Sequence, residues 1–75
     1  MSGAATQTIE IVVNGHPRRV PEGLNVEGLL KFLEIDESRV AVELNREIVR
    51  KPEWSSASIA SGANVEIVWF VGGGC

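Results

Sequence analysis

The chain has 75 residues, 44% of them hydrophobic, and a formal net charge of −3 at pH 7. This length allows one small domain, and it leaves no room for a large internal active-site cavity. The negative charge argues against nucleic-acid binding, which relies on Lys and Arg neutralising phosphates. No stretch approaches the ~20 apolar residues of a membrane span.

The single cysteine, Cys75, excludes an internal disulfide and a cysteine-based zinc site. Residues 1–8 lack the basic region and apolar core of a signal peptide, so we expect a cytoplasmic protein. Residues 1–7 are mostly small and polar and are expected to be flexible.

The first predicted element is a β-hairpin. Apolar side chains alternate along residues 9–13, which predicts a strand with one buried face. Asn14 and Gly15 then favour a two-residue turn, because both central positions of such a turn need a positive φ. The returning strand is expected at residues 17–21, at a sheet edge, since the proline at either end has no N–H to donate.

Residues 24–35 change to helical spacing, with one apolar stripe made of Val26, Leu29, Leu30 and Leu33. Asn25 is the expected N-cap, and Glu27 lies in the first turn, where the helix dipole favours an acidic residue. Gly28 within this helix costs about 1 kcal/mol relative to alanine. It is either tolerated or needed for close approach of the helix to a sheet.

The second half of the chain predicts a strand at residues 40–44, a turn at 45–46, a short strand at 47–49, one helical turn packed by the indole of Trp54, and a last strand at 65–71. The helix must cover one face of the sheet, since no other element is long enough. The last strand then lies centrally, beside the first. This α+β order, a mixed sheet under one helix, is the β-grasp arrangement, with residues 1–71 as one domain.

The last strand is expected to expose apolar side chains. If Val65, Ile67 and Trp69 face the helix, then Val68 and Phe70 point to the opposite, uncovered face. These two residues are a candidate docking patch, because a sheet covered on one side leaves its other side open. The alternative is the reversed parity, with Trp69 outside.

A glycine tail follows this strand, over residues 72–75. Gly72, Gly73 and Gly74 add nothing to a core and have a high ordering entropy, so we expect a flexible tail. Extended, three residues reach roughly 10 Å, which suits entry into a narrow slot on another protein. The alternative is an inert, disordered terminus.

Several stretches resemble one known family: residues 13–15, 24–26, 29–30 and 40–45, followed by Ile48, Val49, Pro52 and Trp54. Together with the glycine tail, they make residues 9–74 similar to ThiS, the ubiquitin-like sulfur carriers of thiamin biosynthesis.

The resemblance implies a co-substrate and not an enzyme, with no catalytic or metal-binding residue and no bound cofactor. A ThiF-type enzyme would use MgATP to adenylate the carboxylate of Gly74, while Gly72 and Gly73 thread into its site. A desulfurase would supply the sulfur that converts the adenylate to a thiocarboxylate. The thiazole synthase ThiG would then receive that sulfur.

Cys75 departs from the family pattern, which ends at Gly-Gly. While Cys75 is attached, the Gly74 carboxyl is part of a peptide bond and cannot be adenylated. Either a peptidase removes Cys75, or its thiol is functional or introduced. Three other functions remain open: a carrier for molybdopterin or another metabolite, a ubiquitin-like protein modifier, and a β-grasp interaction module with an inert tail.

Overall fold

The computed structural model describes residues 7–70. The strands and helix, in chain order, are β1 (Thr8–Val13), β2 (His16–Pro21), α1 (Val26–Phe32), β3 (Val40–Leu44), β4 (Glu47–Val49) and β5 (Asn64–Trp69). One-turn 3-10 helices lie at Glu37–Arg39 and Lys51–Glu53. Residues 1–6 and 71–75 lie outside the described residues, and with them the predicted flexible start and the glycine tail.

The five strands form one mixed sheet in the order β2-β1-β5-β3-β4. β5 is central, parallel to β1 and antiparallel to β3, and α1 is the one α-helix among the described residues. The predicted β-grasp arrangement is confirmed. It puts β5, the last strand of the described residues, in the middle of the sheet between β1 and β3.

Both hairpins close with two-residue turns that have a positive φ at both central positions. Asn14 and Gly15 have φ of 51° and 82°, and Asn45 and Arg46 have φ of 53° and 72°. Asparagine and glycine tolerate this left-handed conformation, whereas Arg46 adopts it at an energetic cost. The register of each hairpin is therefore set locally by its turn.

The helix is shorter than the sequence predicts, because it ends at Phe32 and not at residue 35. Glu34 has a φ of 60°, its N–H donates to Lys31 O, and the N–H of Ile35 donates to Leu30 O. These bonds form a Schellman motif, which stops a helix. Glycine is the usual residue at this position, so a glutamate here does not predict the end of a helix.

The predicted N-cap is confirmed, since Asn25 Oδ1 accepts a hydrogen bond from Gly28 N at 2.7 Å. A Cβ on Gly28 would lie 3.2 Å from Asn25 Oδ1 and 3.2 Å from Leu24 Cδ2. Gly28 therefore leaves space for the cap and for Leu24. The alternative, that the glycine allows close approach to the sheet, is not what the structure shows.

The core lies between α1 and one face of the sheet. Its buried side chains come from α1, from four strands and from the loop before β5, where Trp54, Ile59 and Ala63 are buried. Trp54 is 3% exposed, and its Nε1 donates to Val49 O at 2.8 Å. The predicted packing of the indole is confirmed.

Candidate functional site

The candidate site is the end of β5, from which the predicted tail leaves. Gly72, Gly73 and Gly74 lie outside the described residues, so their role stays a prediction. Along β5, Val65 and Ile67 are buried, whereas Glu66 and Val68 are exposed. The structure therefore has the first of the two parities considered above.

Trp69 departs from this alternation, because it lies on the helix side of the sheet and is still 48% exposed. The helix ends at Phe32, and the segment after it, with Leu33 and Ile35, lines an open hollow beside Trp69. As a result β5 ends with large apolar side chains exposed on both faces of the sheet.

The uncovered face of the sheet carries an apolar cluster. Val68 and Phe70 are 56% and 59% exposed. Val68 lies opposite Ala41 in the β3–β5 register, and Ile48 on β4 is 71% exposed. Ala41, Ile48 and Phe70 also line one hollow of about 460 Å³. We call these four residues, Ala41, Ile48, Val68 and Phe70, the uncovered-face patch.

The sequence missed Ala41 and Ile48, because the position of Ala41 opposite Val68 and of Ile48 opposite Glu43 depends on the register between strands. Alternation along β3 and β4 does put both residues on the uncovered face, so the sequence could have predicted their face but not their neighbours.

Two carboxylates border the patch. Glu43 and Glu66 lie directly opposite each other in the β3–β5 register, on the uncovered face. Like charges in this position repel. Among the described residues, the ion pairs are Lys31–Glu27 at 3.8 Å and Arg39–Asp36 at 3.4 Å, so neither glutamate has a basic partner within ion-pair distance.

Asparagines of the two hairpin turns hold β5. Asn14 Oδ1 accepts from Ile67 N at 2.7 Å, and Asn14 Nδ2 donates to Ile67 O at 3.1 Å. Asn45 holds the start of β5 with one backbone and one side-chain group. Its backbone N–H donates to Asn64 O at 2.7 Å, and its Oδ1 accepts from Asn64 N at 3.0 Å. These bonds fix the strand that presents the tail.

The described residues contain no group of three or more His, Cys, Asp or Glu side chains that could hold a metal ion. The pKa of Asp36 lies below its usual value, first because the Ser38 hydroxyl and N–H donate to it, and also because Arg39 is close. No helix in residues 7–70 is long and apolar enough to cross a membrane.

Comparison with known proteins gives a family match over nearly the whole chain, since the ThiS family model matches residues 11–74. A thiazole synthase of Paramagnetospirillum magneticum is 41% identical over 66 residues, which are 88% of this chain and 20% of that protein. A second thiazole synthase, of Magnetococcus marinus, is 33% identical over 66 residues and again covered to 20%. The chain thus spans about a fifth of the length of these two relatives.

Shorter relatives match end to end. An uncharacterized protein, ycf40, of Porphyra purpurea is 34% identical over 91% of this chain and 96% of its own length. The crystal structure of a thiamine biosynthesis protein (ThiS) from Geobacter metallireducens is 36% identical, with a TM-score of 0.78 over 88% of this chain and 100% of that one. With its family match and its mixed sheet under one helix, this chain belongs to the ThiS family and has the β-grasp fold.

Proposed function

We propose that this chain carries sulfur for thiazole formation in thiamin biosynthesis, and that its reacting group is the carboxylate of Gly74. The observation that carries the proposal is the ThiS match, which runs from Ile11, buried in β1, to residue 74 and so includes the glycines. The two thiazole synthases that contain a similar segment support thiazole synthesis as the destination of the sulfur.

The chemistry needs an activating partner, because a free carboxylate is a poor acyl donor. In the proposed reaction, a ThiF-type enzyme and MgATP convert the Gly74 carboxylate to an acyl-adenylate and release pyrophosphate. The persulfide of a cysteine desulfurase then displaces AMP to give an acyl disulfide, and a thiol reductant cleaves its S–S bond to leave the thiocarboxylate. On the thiazole synthase ThiG the sulfur passes to the thiazole precursor, and an oxygen from that precursor or from water replaces it on the Gly74 carbonyl carbon, which restores the carboxylate.

The tail suits this role because glycine has no Cβ. Gly72, Gly73 and Gly74 in extended form reach roughly 10 Å, and no side chain obstructs their entry into a narrow site. Wherever Cys75 is attached to Gly74, the carboxylate is absent. The proposal therefore requires a peptidase to release Cys75 before adenylation.

The uncovered-face patch is the proposed contact with the activating enzyme. Its large side chains, Ile48, Val68 and Phe70, are more than half exposed, and Ile48 and Phe70 line a hollow. Val68 and Phe70 also lie within a few residues of the tail in the sequence. Exposed apolar patches of this kind mark interaction sites. Burial of Val68 and Phe70 against the enzyme would bring the chain end close to the site of adenylation.

The matched pair Phe70→Ala and Phe32→Ala tests this contact. Both phenylalanines are about half exposed, at 59% and 48%, but Phe32 belongs to α1 on the other side of the sheet. In chains that end at Gly74, adenylation is followed as ATP–pyrophosphate exchange. We expect Phe70→Ala to raise the KM for the carrier about tenfold, and Phe32→Ala to leave it unchanged. Equal effects of the two changes would show that the patch is not the contact.

A further inference from the structure

β5 has an open edge beyond Ile67. On this side its neighbour β1 ends at Val13, which pairs with Val65. The Asn14 side chain then takes the place of a strand by bonding to both the N–H and the C=O of Ile67. Past Ile67, no strand of the described residues lies alongside β5 on this edge.

The backbone of Trp69 points to that open edge. Successive residues of a strand direct their N–H and C=O groups to opposite sides. Val65 and Ile67 direct theirs towards β1 and Asn14, while the N–H of Phe70 bonds to Arg39 O on the other side. Trp69 therefore presents one donor and one acceptor at the open edge, with no partner among the described residues.

A hollow of about 350 Å³ lies next to this edge, on the helix side of the sheet. Its lining comes from the first hairpin, from β5 and from the segment after α1: Val13, Asn14, His16, Arg18, Leu33, Ile35, Ile67 and Trp69. It exists because β1 turns back at Asn14 and α1 stops at Phe32, so neither element covers this corner. Most of the lining is apolar, with Arg18 and His16 on the β2 side.

We propose that an extended segment of a partner protein pairs with β5 at Trp69 and puts an apolar side chain into this hollow. An open edge gains hydrogen bonds when a strand is added, and pockets for alternate side chains make such pairing specific. Arg18 has no carboxylate within ion-pair distance among the described residues, so the segment is expected to carry an Asp or Glu near its apolar residue.

The identity of the partner rests on the proposed function: we take it to be the activating enzyme, which must engage the chain end. Pairing at Trp69 would set the direction in which the chain leaves β5. The open edge, and not only the uncovered-face patch, would then guide the carboxylate into the enzyme.

Hydrogen exchange tests the pairing directly. In the full chain alone, the Trp69 amide is expected to exchange freely, as does an exposed turn amide such as that of Ser61. Saturation with a ThiF-type enzyme should slow the Trp69 amide by about tenfold or more and leave Ser61 unchanged. Protection of Trp69 in the free chain, or no change on saturation, would overturn the proposal.

Substitution separates the backbone from the side chain. Trp69→Pro removes the N–H at the open edge and no bond to β3, and Trp69→Ala removes the indole alone. We expect the proline variant to bind the enzyme about fivefold more weakly than the alanine variant. Equal affinities of two folded variants would mean that no backbone pairing occurs.

Substitutions at two neighbouring arginines of β2 test the proposed acidic group of the partner without changing β5. Arg18 lines the hollow, whereas Arg19 points to the other face of β2 and bonds to Thr8 Oγ1. Arg18→Glu should weaken binding about tenfold, and Arg19→Glu much less, although both change the net charge equally. Equal losses would indicate general charge steering and contradict an acidic group in the hollow.

Adenylation of a chain ending at Gly74, measured in parallel, separates the two proposals. If the adenylate forms while the Trp69 amide stays unprotected, the pairing is wrong and the carrier function stands. If Trp69 is protected but no adenylate forms, the edge is a binding site and the carrier function fails.

Discussion

Asn14 joins the first hairpin turn to Ile67, because its side-chain amide bonds both the N–H and the C=O of that residue, at 2.7 and 3.1 Å. The two residues are 53 positions apart in the sequence, so this link holds β5 against the first hairpin. β1 pairs with β5 only as far as Val65. Beyond Val65, the Asn14 side chain makes the hydrogen bonds to β5 on this side of the strand, among the described residues.

Asn14→Ala should therefore destabilise the domain by about 2 kcal/mol, since two part-buried hydrogen bonds are lost and alanine tolerates a positive φ less well. Asn14→Asp keeps the acceptor for Ile67 N but turns a carboxylate oxygen towards Ile67 O in place of the donor, so we expect a loss at least as large. Urea unfolding followed by circular dichroism measures both. A loss below about 0.5 kcal/mol for Asn14→Ala would show that the link is not structural.

The contrast between the hairpin turns and this link shows what the sequence can predict. Asn14 and Gly15 form a turn for local reasons, and the predicted turn was found. The partner of Asn14, by contrast, is set only by the three-dimensional path of β5. The end of α1 was missed because Glu34, and not a glycine, adopts the left-handed conformation.

That local error changed the candidate site. With the helix ending at Phe32, Leu33, Ile35 and Trp69 line an open hollow. Alternation along β5 did separate Ile67 from Val68. Ala41 and Ile48 belong to the uncovered-face patch because β3 pairs with β5 and β4. This strand pairing cannot be predicted from a local sequence pattern.

Trp54 is expected to be the side chain on which the loop between β4 and β5 depends. It is 3% exposed and donates to Val49 O. Trp54→Phe removes the hydrogen bond to Val49 O and leaves a small cavity, so we expect a loss of about 2 kcal/mol in unfolding free energy. Guanidinium unfolding measures it, and a variant as stable as the parent chain would contradict this role for the indole.

The opposed carboxylates of Glu43 and Glu66 should cost the free chain stability. Glu66→Lys replaces repulsion by attraction across the β3–β5 pair, and we expect a gain of about 0.5 kcal/mol at low salt. Glu53→Lys, at an exposed position in a 3-10 turn, is the control for the change in net charge. If both variants gain equally in thermal unfolding, the effect comes from net charge and not from the pair.

Asp36 is expected to make the free energy of unfolding depend on pH. Hydrogen bonds from Ser38 at 2.7 Å (Oγ) and 3.0 Å (N) hold its pKa below the usual value in the folded chain. A lowered folded pKa adds stability above the unfolded pKa, and this stability is lost as pH falls through the folded pKa. Ser38→Ala should raise the pKa of Asp36 towards its ordinary value. Carboxyl ¹³C titration by NMR tests this, and an unchanged pKa would contradict it.

The most direct test of the carrier function is the intact mass of a chain ending at Gly74 after incubation with a ThiF-type enzyme, MgATP, a cysteine desulfurase, cysteine and a thiol reductant. Replacement of one carboxylate oxygen by sulfur predicts a gain of about 16 Da, located at Gly74 by fragmentation. The chain that retains Cys75 should keep its mass. No mass gain with an enzyme that thiolates its own carrier, or conjugation to lysines in place of that gain, would contradict the account.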